Sequence, residues 1–180
     1  MKEKKTYPKP EYMKKASVSQ VSKEVRDQPM STPDYPFLKK SQIEWRWIEE
    51  RNHANAFIKH PAKTVMAVLE EVPPGGKPTG FQRHACEAVY YILQGKGKSR
   101  VGKNVFEWEA GDSFYVAPFE WHQHWTLSEE PARFLACVNL PLLNHIDCNL
   151  FEERGIETTW EKEHDEKGQL KKPSIIDERY

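Results

Sequence analysis

At 180 residues the chain has the length of one domain with extensions. Its 27 Lys plus Arg balance 27 Asp plus Glu, so no net charge draws it to nucleic acid or to an anionic membrane. The three cysteines, at 86, 137 and 148, make neither a closed disulfide set nor a zinc spacing, and no apolar run is long enough for a leader or a membrane span. The expectation is a cytoplasmic protein with reduced thiols.

Residues 1–40 are rich in Lys and Glu, with prolines at 8, 10, 29, 33 and 36. They read as an N-terminal arm with one short helix over 17–26. Trp45 and Trp47, two apart, mark a strand packed on a sheet. From 41 to 150, short β-branched and aromatic runs alternate with Gly, Pro and Asp punctuation. The pattern predicts strands over 56–60, 63–72, 88–93, 99–102, 104–109, 113–117, 122–127 and 132–140, with a tight turn at Lys103 between the fourth and fifth. Many short, closely spaced strands imply an all-β sandwich or barrel. Residues 151–180 are again highly charged and read as a tail with a helical fragment over 157–166.

Two polar pairs stand out. Gln82 and His84 are two apart, as are His122 and His124, so each pair projects from one face if its segment is extended. A Gly- or Pro-bearing turn precedes each pair, and two such pairs at strand ends can converge at a barrel mouth. Imidazole, amide and carboxylate ligands suit Fe(II), Mn(II), Ni(II), Cu(II) or Zn(II).

These residues fall within a resemblance to the cupin superfamily that spans roughly 60–140. The family's first motif is a glycine, five residues, His-x-His, three or four residues, Glu, six residues and a glycine. Here Gly76 is followed at that distance by Gln82-Arg83-His84, and the run closes on Gly95. The second motif is a glycine, five residues, Pro-x-Gly, two residues, His, three residues and Asn. Here it begins at Gly111 and places His122 at the histidine position. Gln82 stands for the first histidine, Ala88 for the glutamate (Glu87 being next door), Ala117 and Phe119 for the Pro and Gly, and Thr126 for the Asn. Gentisate-type ring-cleaving dioxygenases are similar in an alanine at the glutamate position and in a Trp-His-x-His sequence, matched by Trp121-His122-Gln123-His124.

The resemblance implies a cupin double-stranded β-helix, a jelly-roll barrel with polar N- and C-terminal extensions. It implies a divalent metal ion, Fe(II) first, on Gln82, His84 and His122. Gln82 is either a ligand through its amide oxygen or a hydrogen-bonding neighbour. His124 is expected to be a catalytic proton-transfer group, with further ligand or ligand-orienting roles open. Tyr91, Trp121 and Trp125 are expected to line a substrate pocket, Glu87 to sit at the rim, and Cys86 to be packed. The activity implied is that of a non-haem Fe(II) dioxygenase-like oxidoreductase acting on a small aromatic or hydroxy-acid substrate. The alternatives are a non-catalytic cupin that binds a small molecule or partner protein in the barrel mouth, and a metal-assisted isomerase or decarboxylase. A homodimer is expected, because cupin sheets have long edge strands that tend to be covered.

Overall fold

The computed structural model describes residues 11–26, 37–156, 158–169, 171, 178 and 179. In chain order the elements are β1 (Met13–Ala16), α1 (Val18–Arg26), β2 (Trp45–Ile48), β3 (His53–Ile58), β4 (Met66–Val72), β5 (Gln82–His84), β6 (Ala88–Gln94), β7 (Lys96–Val101), β8 (Asn104–Glu109), β9 (Ser113–Val116), β10 (His122–Thr126), β11 (Ala132–Val138), α2 (Leu140–His145), β12 (Leu150–Glu153), α3 (Trp160–Glu163) and β13 (Glu178–Arg179). They form a seven-stranded sheet, β1-β2-β3-β4-β11-β6-β9, and a six-stranded sheet, β13-β12-β5-β10-β7-β8. This is the all-β barrel expected from the strand pattern and the jelly roll implied by the cupin resemblance. No helix among the described residues is long and apolar enough to cross a membrane.

Alternation decides which side chains enter the space between the sheets. On β6, Ala88, Tyr90 and Ile92 are buried, while Val89, Tyr91 and Leu93 point outward and stay about half exposed. From β11, Ala132, Phe134, Ala136 and Val138 point inward and join them, with Trp108 facing from β8. Burying each large side chain contributes about 1.5–3 kcal/mol. The rings interlock edge to face: Trp108 meets Phe134 at 5.0 Å, and Tyr90 meets Phe134 at 5.8 Å between centroids.

Two glycines set the corners that link these strands, one between the sheets and one within a hairpin. Gly95 joins β6 to β7 with φ +85, against the backbone of Ala132. Gly102 opens the two-residue loop of the β7–β8 hairpin with φ +56, at the first central position, where a II′-type turn favours glycine.

The extensions take a larger part than the sequence suggests. β1 pairs in parallel with β2, and Val21 of α1 packs with Ala16 and Ile48. Only the ends of Met-Lys-Lys-Ala are buried, so the strand carries no two-residue alternation to read. At the other end, β12 pairs with β5. Its Glu152 is buried, taking Arg83 at 2.7 Å and Arg154 at 2.5 Å. Two adjacent glutamates read as tail until their cationic partners, distant in sequence, are known. The predicted 157–166 helix is confined to α3, and position 157 and the prolines at 8, 10, 29, 33 and 36 lie outside the described residues.

Candidate metal centre and cavity

β5 lies between β12 and β10, with Gln82 directly opposite His122. The Gln82 amide nitrogen donates to His122 Nε2 at 3.2 Å. His84, two residues on, turns to the same side, and its ring meets that of His122 edge-on at 4.8 Å between centroids. The three residues expected to converge do so.

Both rings have their tautomer set by the backbone. His84 Nδ1–H donates to the Cys86 carbonyl at 2.7 Å, and His122 Nδ1–H to the Glu120 carbonyl at 2.9 Å. A carbonyl oxygen only accepts, so the proton is on Nδ1 and Nε2 keeps its lone pair. Metal-binding histidines are commonly held this way. Burial pushes the His84 pKa down to about 4. Burial, reinforced by His84 and His124, holds His122 well below the usual histidine value. Both are therefore neutral at neutral pH, the form that binds metals.

The turn before His122 explains one departure from the family motif. Phe119 occupies the motif's glycine position with φ +60, and its N–H donates to the His84 carbonyl at 2.7 Å. The left-handed backbone that glycine would adopt freely is here held by a phenylalanine. The bond ties the second-motif turn to the strand that carries the first motif. Ala88, at the glutamate position, is fully buried in the core. Glu87 points out to the rim, where it accepts from Tyr115 Oη at 2.9 Å and Asn139 Nδ2 at 3.3 Å. Cys86 is buried, and burial pushes its thiol up to about 12, so it offers no thiolate.

His124 lies deeper. Its Nδ1 is 2.7 Å from Ser99 Oγ, which accepts from Trp108 Nε1 at 2.8 Å. Tyr90, Phe114 and Phe134 surround its ring at 5.3–5.5 Å. Burial lowers its pKa to about 3, and its Nε2 has no hydrogen-bond partner.

Beside Gln82 and His84 is a cavity of about 100 Å³. Its further polar wall is Arg51, His53, Asn55 and Glu70, and its apolar wall includes Val21 of α1, Phe57 and Phe151. Arg51 Nε is 2.9 Å from Glu153, and its guanidinium lies 4.2 Å from the Phe151 ring centre. Burial lowers the His53 pKa to about 3 and raises that of Glu70 to about 7. The pocket aromatics expected from sequence are elsewhere. Tyr91 is on the outer face, Trp121 stacks on Phe81 at 4.6 Å, and Trp125 lies under Lys98. Strand parity is the reason: Tyr90, not Tyr91, points inward and lines the cavity. The strand pattern marks only 56–60 of β3, which begins at His53, so His53 and Asn55 are not legible as cavity wall in the sequence. The available signal at Glu70 was an acidic residue at an inward position of a strong strand.

Among the described residues no three His, Cys, Asp or Glu side chains group as metal ligands. The candidate donors are instead His84 Nε2, His122 Nε2 and Gln82 Oε1; the amide nitrogen of Gln82 occupies the His122 lone pair here, so the amide must turn over for Oε1, buried without a partner, to join them. That set fits a divalent first-row ion of modest affinity.

The fold and this site define a barrel of the jelly-roll class with its polar centre on two adjacent strands. The cupin domain model matches residues 68–138, and the chain belongs to the cupins. An uncharacterized protein from Methanocaldococcus jannaschii is 31% identical over 107 residues, 58% of this chain and 81% of its own length. Salicylate 1,2-dioxygenase from Pseudoaminobacter salicylatoxidans, in adducts with gentisate, superposes with TM-score 0.53 at 15% identity, over 76% of this chain and 33% of that one. An RmlC-like cupin from Shewanella frigidimarina gives TM-score 0.49 at 20% identity, over 60% of this chain and 93% of its own. The likeness to the dioxygenase is one of fold.

Proposed function

We propose that the chain is a metal-dependent cupin, a dioxygenase-like oxidoreductase whose metal is held by His84, His122 and Gln82 and whose substrate is a small hydroxy acid. The observation that carries this reading is the paired backbone locks on His84 and His122, which keep both Nε2 atoms unprotonated beside the Gln82 amide, whose nitrogen now donates to His122 Nε2. Fe(II) held there, or Mn(II), Ni(II) or Zn(II), would supply Lewis acidity toward a chelating substrate and, for iron, electrons to O₂.

The chain's own residues do the rest. The Cys86 and Glu120 carbonyls orient the ligand rings. Arg51, fixed between Glu153 and Phe151, presents a cation to a substrate carboxylate. Val21, Phe57 and Phe151 restrict water on the apolar side. His124 stands behind His122, ring centres 5.7 Å apart, and steadies it while remaining neutral. Cavity size favours a hydroxy acid over an aromatic substrate, because about 100 Å³ is below the ~150 Å³ that holds a benzene ring.

The test is elemental analysis of protein purified anaerobically with added Fe(II). One iron per chain, lost in His122→Ala, is the expected result. No iron in the parent would overturn the reading. It would favour a metal-free binding module, in which the Gln82 amide satisfies His122 in place of a metal, the contact seen at 3.2 Å.

A further inference from the structure

Glu70 is the cavity group that the metal reading does not use. It lies on β4 directly opposite Asn55 of β3, and both line the cavity. The hydrogen bond that reaches it, from Tyr90 Oη, is long at 3.4 Å. Among the described residues no ion pair joins Glu70 to Arg51, whose Nε meets Glu153 and whose guanidinium lies over Phe151. Glu70 is nevertheless only partly covered, because its remaining surface faces the cavity. It is thus a carboxyl in the barrel that makes no ion pair among the described residues, turned toward the space a ligand would fill. The side chains of Asn55 and Gln82 line the same space, and their amide oxygens, buried acceptors without partners, suit a ligand hydroxyl.

We propose that the cavity takes up a small monoanionic hydroxy acid together with one proton, and that Glu70 holds the proton. The ligand carboxylate lies toward Arg51 and its hydroxyl donates to an amide oxygen. A second anion at Glu70 would put like charges in one low-dielectric space, so the Glu70 carboxylate gains an O–H bond from a solvent proton as the ligand enters. No electrons move. The other groups that face Glu70 do not compete for this proton. Arg51 is already paired with Glu153, burial lowers His53 to about 3 and His84 to about 4, burial raises Cys86 to about 12, and burial raises Tyr90 well above the usual tyrosine value. Burial sets Glu70 itself at about 7, between its two states at neutral pH.

This inference rests on the preceding one only in taking the cavity as the ligand site. Its test is calorimetric titration of the metal-stripped chain with glycolate at pH 6 and pH 8, in two buffers of different ionisation heat, so that protons are counted. The expected result is a Kd about tenfold weaker at pH 8, with uptake approaching one proton per glycolate there. Glu70→Gln should bind glycolate with no pH dependence and no proton uptake. Tyr90→Phe, lacking the bond that favours the ionised form, should hold tight binding to higher pH. No glycolate binding, or binding without proton uptake in the parent chain, overturns the proposal even if Glu70→Gln does not fold. So does uptake that persists in Glu70→Gln. Titrating the same preparation with Fe(II) separates the two readings. Iron binding without glycolate uptake removes this inference and leaves the metal site. Proton-coupled glycolate binding without iron removes the metal site and leaves this one.

Discussion

Acidification should unfold the metal-free chain earlier than its carboxylates alone would predict, because the barrel holds four histidines in their neutral form. Burial depresses His53, His84 and His124 to about 3, 4 and 3, and His122 well below its ordinary value. In the unfolded chain each titrates near 6.5. Below that pH the unfolded state binds protons that the folded state refuses, so stability falls as pH falls, by up to ~1.4 kcal/mol per pH unit for each ring. At pH 5 each ring has cost about 2 kcal/mol, roughly 8 kcal/mol together. Glu70 works the other way. Its folded pKa is raised to about 7, so it burdens the fold most above neutral pH and relieves it as pH falls, returning roughly 2 kcal/mol between pH 7 and pH 5. The net loss over that interval is about 5 kcal/mol, comparable with the whole stability of a marginal domain. Urea unfolding followed by circular dichroism at pH 7, 6 and 5 should show most of the loss in the second step. His53→Gln should recover about 2 kcal/mol of it. Stability that is equal at pH 5 and pH 7 would show that these histidines are not held neutral, and the site's electrostatics would have to be redrawn.

Phe119→Gly should relieve the left-handed backbone at φ +60 and raise stability by about 1 kcal/mol, seen as a Tm increase of about 2–4 °C. Gly97→Ala would drive a methyl group into the Trp125 carbonyl and the Trp108 ring, and should cost about 2–4 kcal/mol in urea unfolding. We propose a homodimer through the outward row Val89, Tyr91 and Leu93, each about half exposed. Light scattering should then find two chains in the parent and one in Tyr91→Lys, whose folding stability should change by less than about 0.5 kcal/mol.

The jelly roll was legible because β6, β8 and β11 alternate cleanly, and because the glycines at 76, 95 and 111 stand at motif spacing. Gln82, His84 and His122 were legible for a related reason. Strand parity pairs residues within a segment, and the motif spacing says which segments meet. The cavity wall was not legible, since Arg51 and Glu70 come from a turn and a strand whose juxtaposition depends on sheet order. The pocket aromatics went astray by one residue of parity: Tyr90 and Tyr91 are chemically alike, and only the register of β6 against β11 shows which one enters. β1 and β12 were hidden because charges on them are answered by partners far away in sequence, Lys14 by Glu44 and Glu152 by Arg83.

The central claim is that residues 82, 84 and 122 converge on one metal ion, and anaerobic Fe(II) titration of four chains tests it most directly. The parent should bind about one equivalent weakly, because an amide oxygen is a poorer donor to iron than an imidazole nitrogen. Gln82→His, which restores a third imidazole opposite His122, should bind roughly tenfold tighter or more. His84→Ala and His122→Ala should bind none, since each removes one of two strong donors. If both alanine variants bind as the parent does and Gln82→His binds no tighter, these side chains do not hold a metal, and the oxidoreductase reading falls with the site.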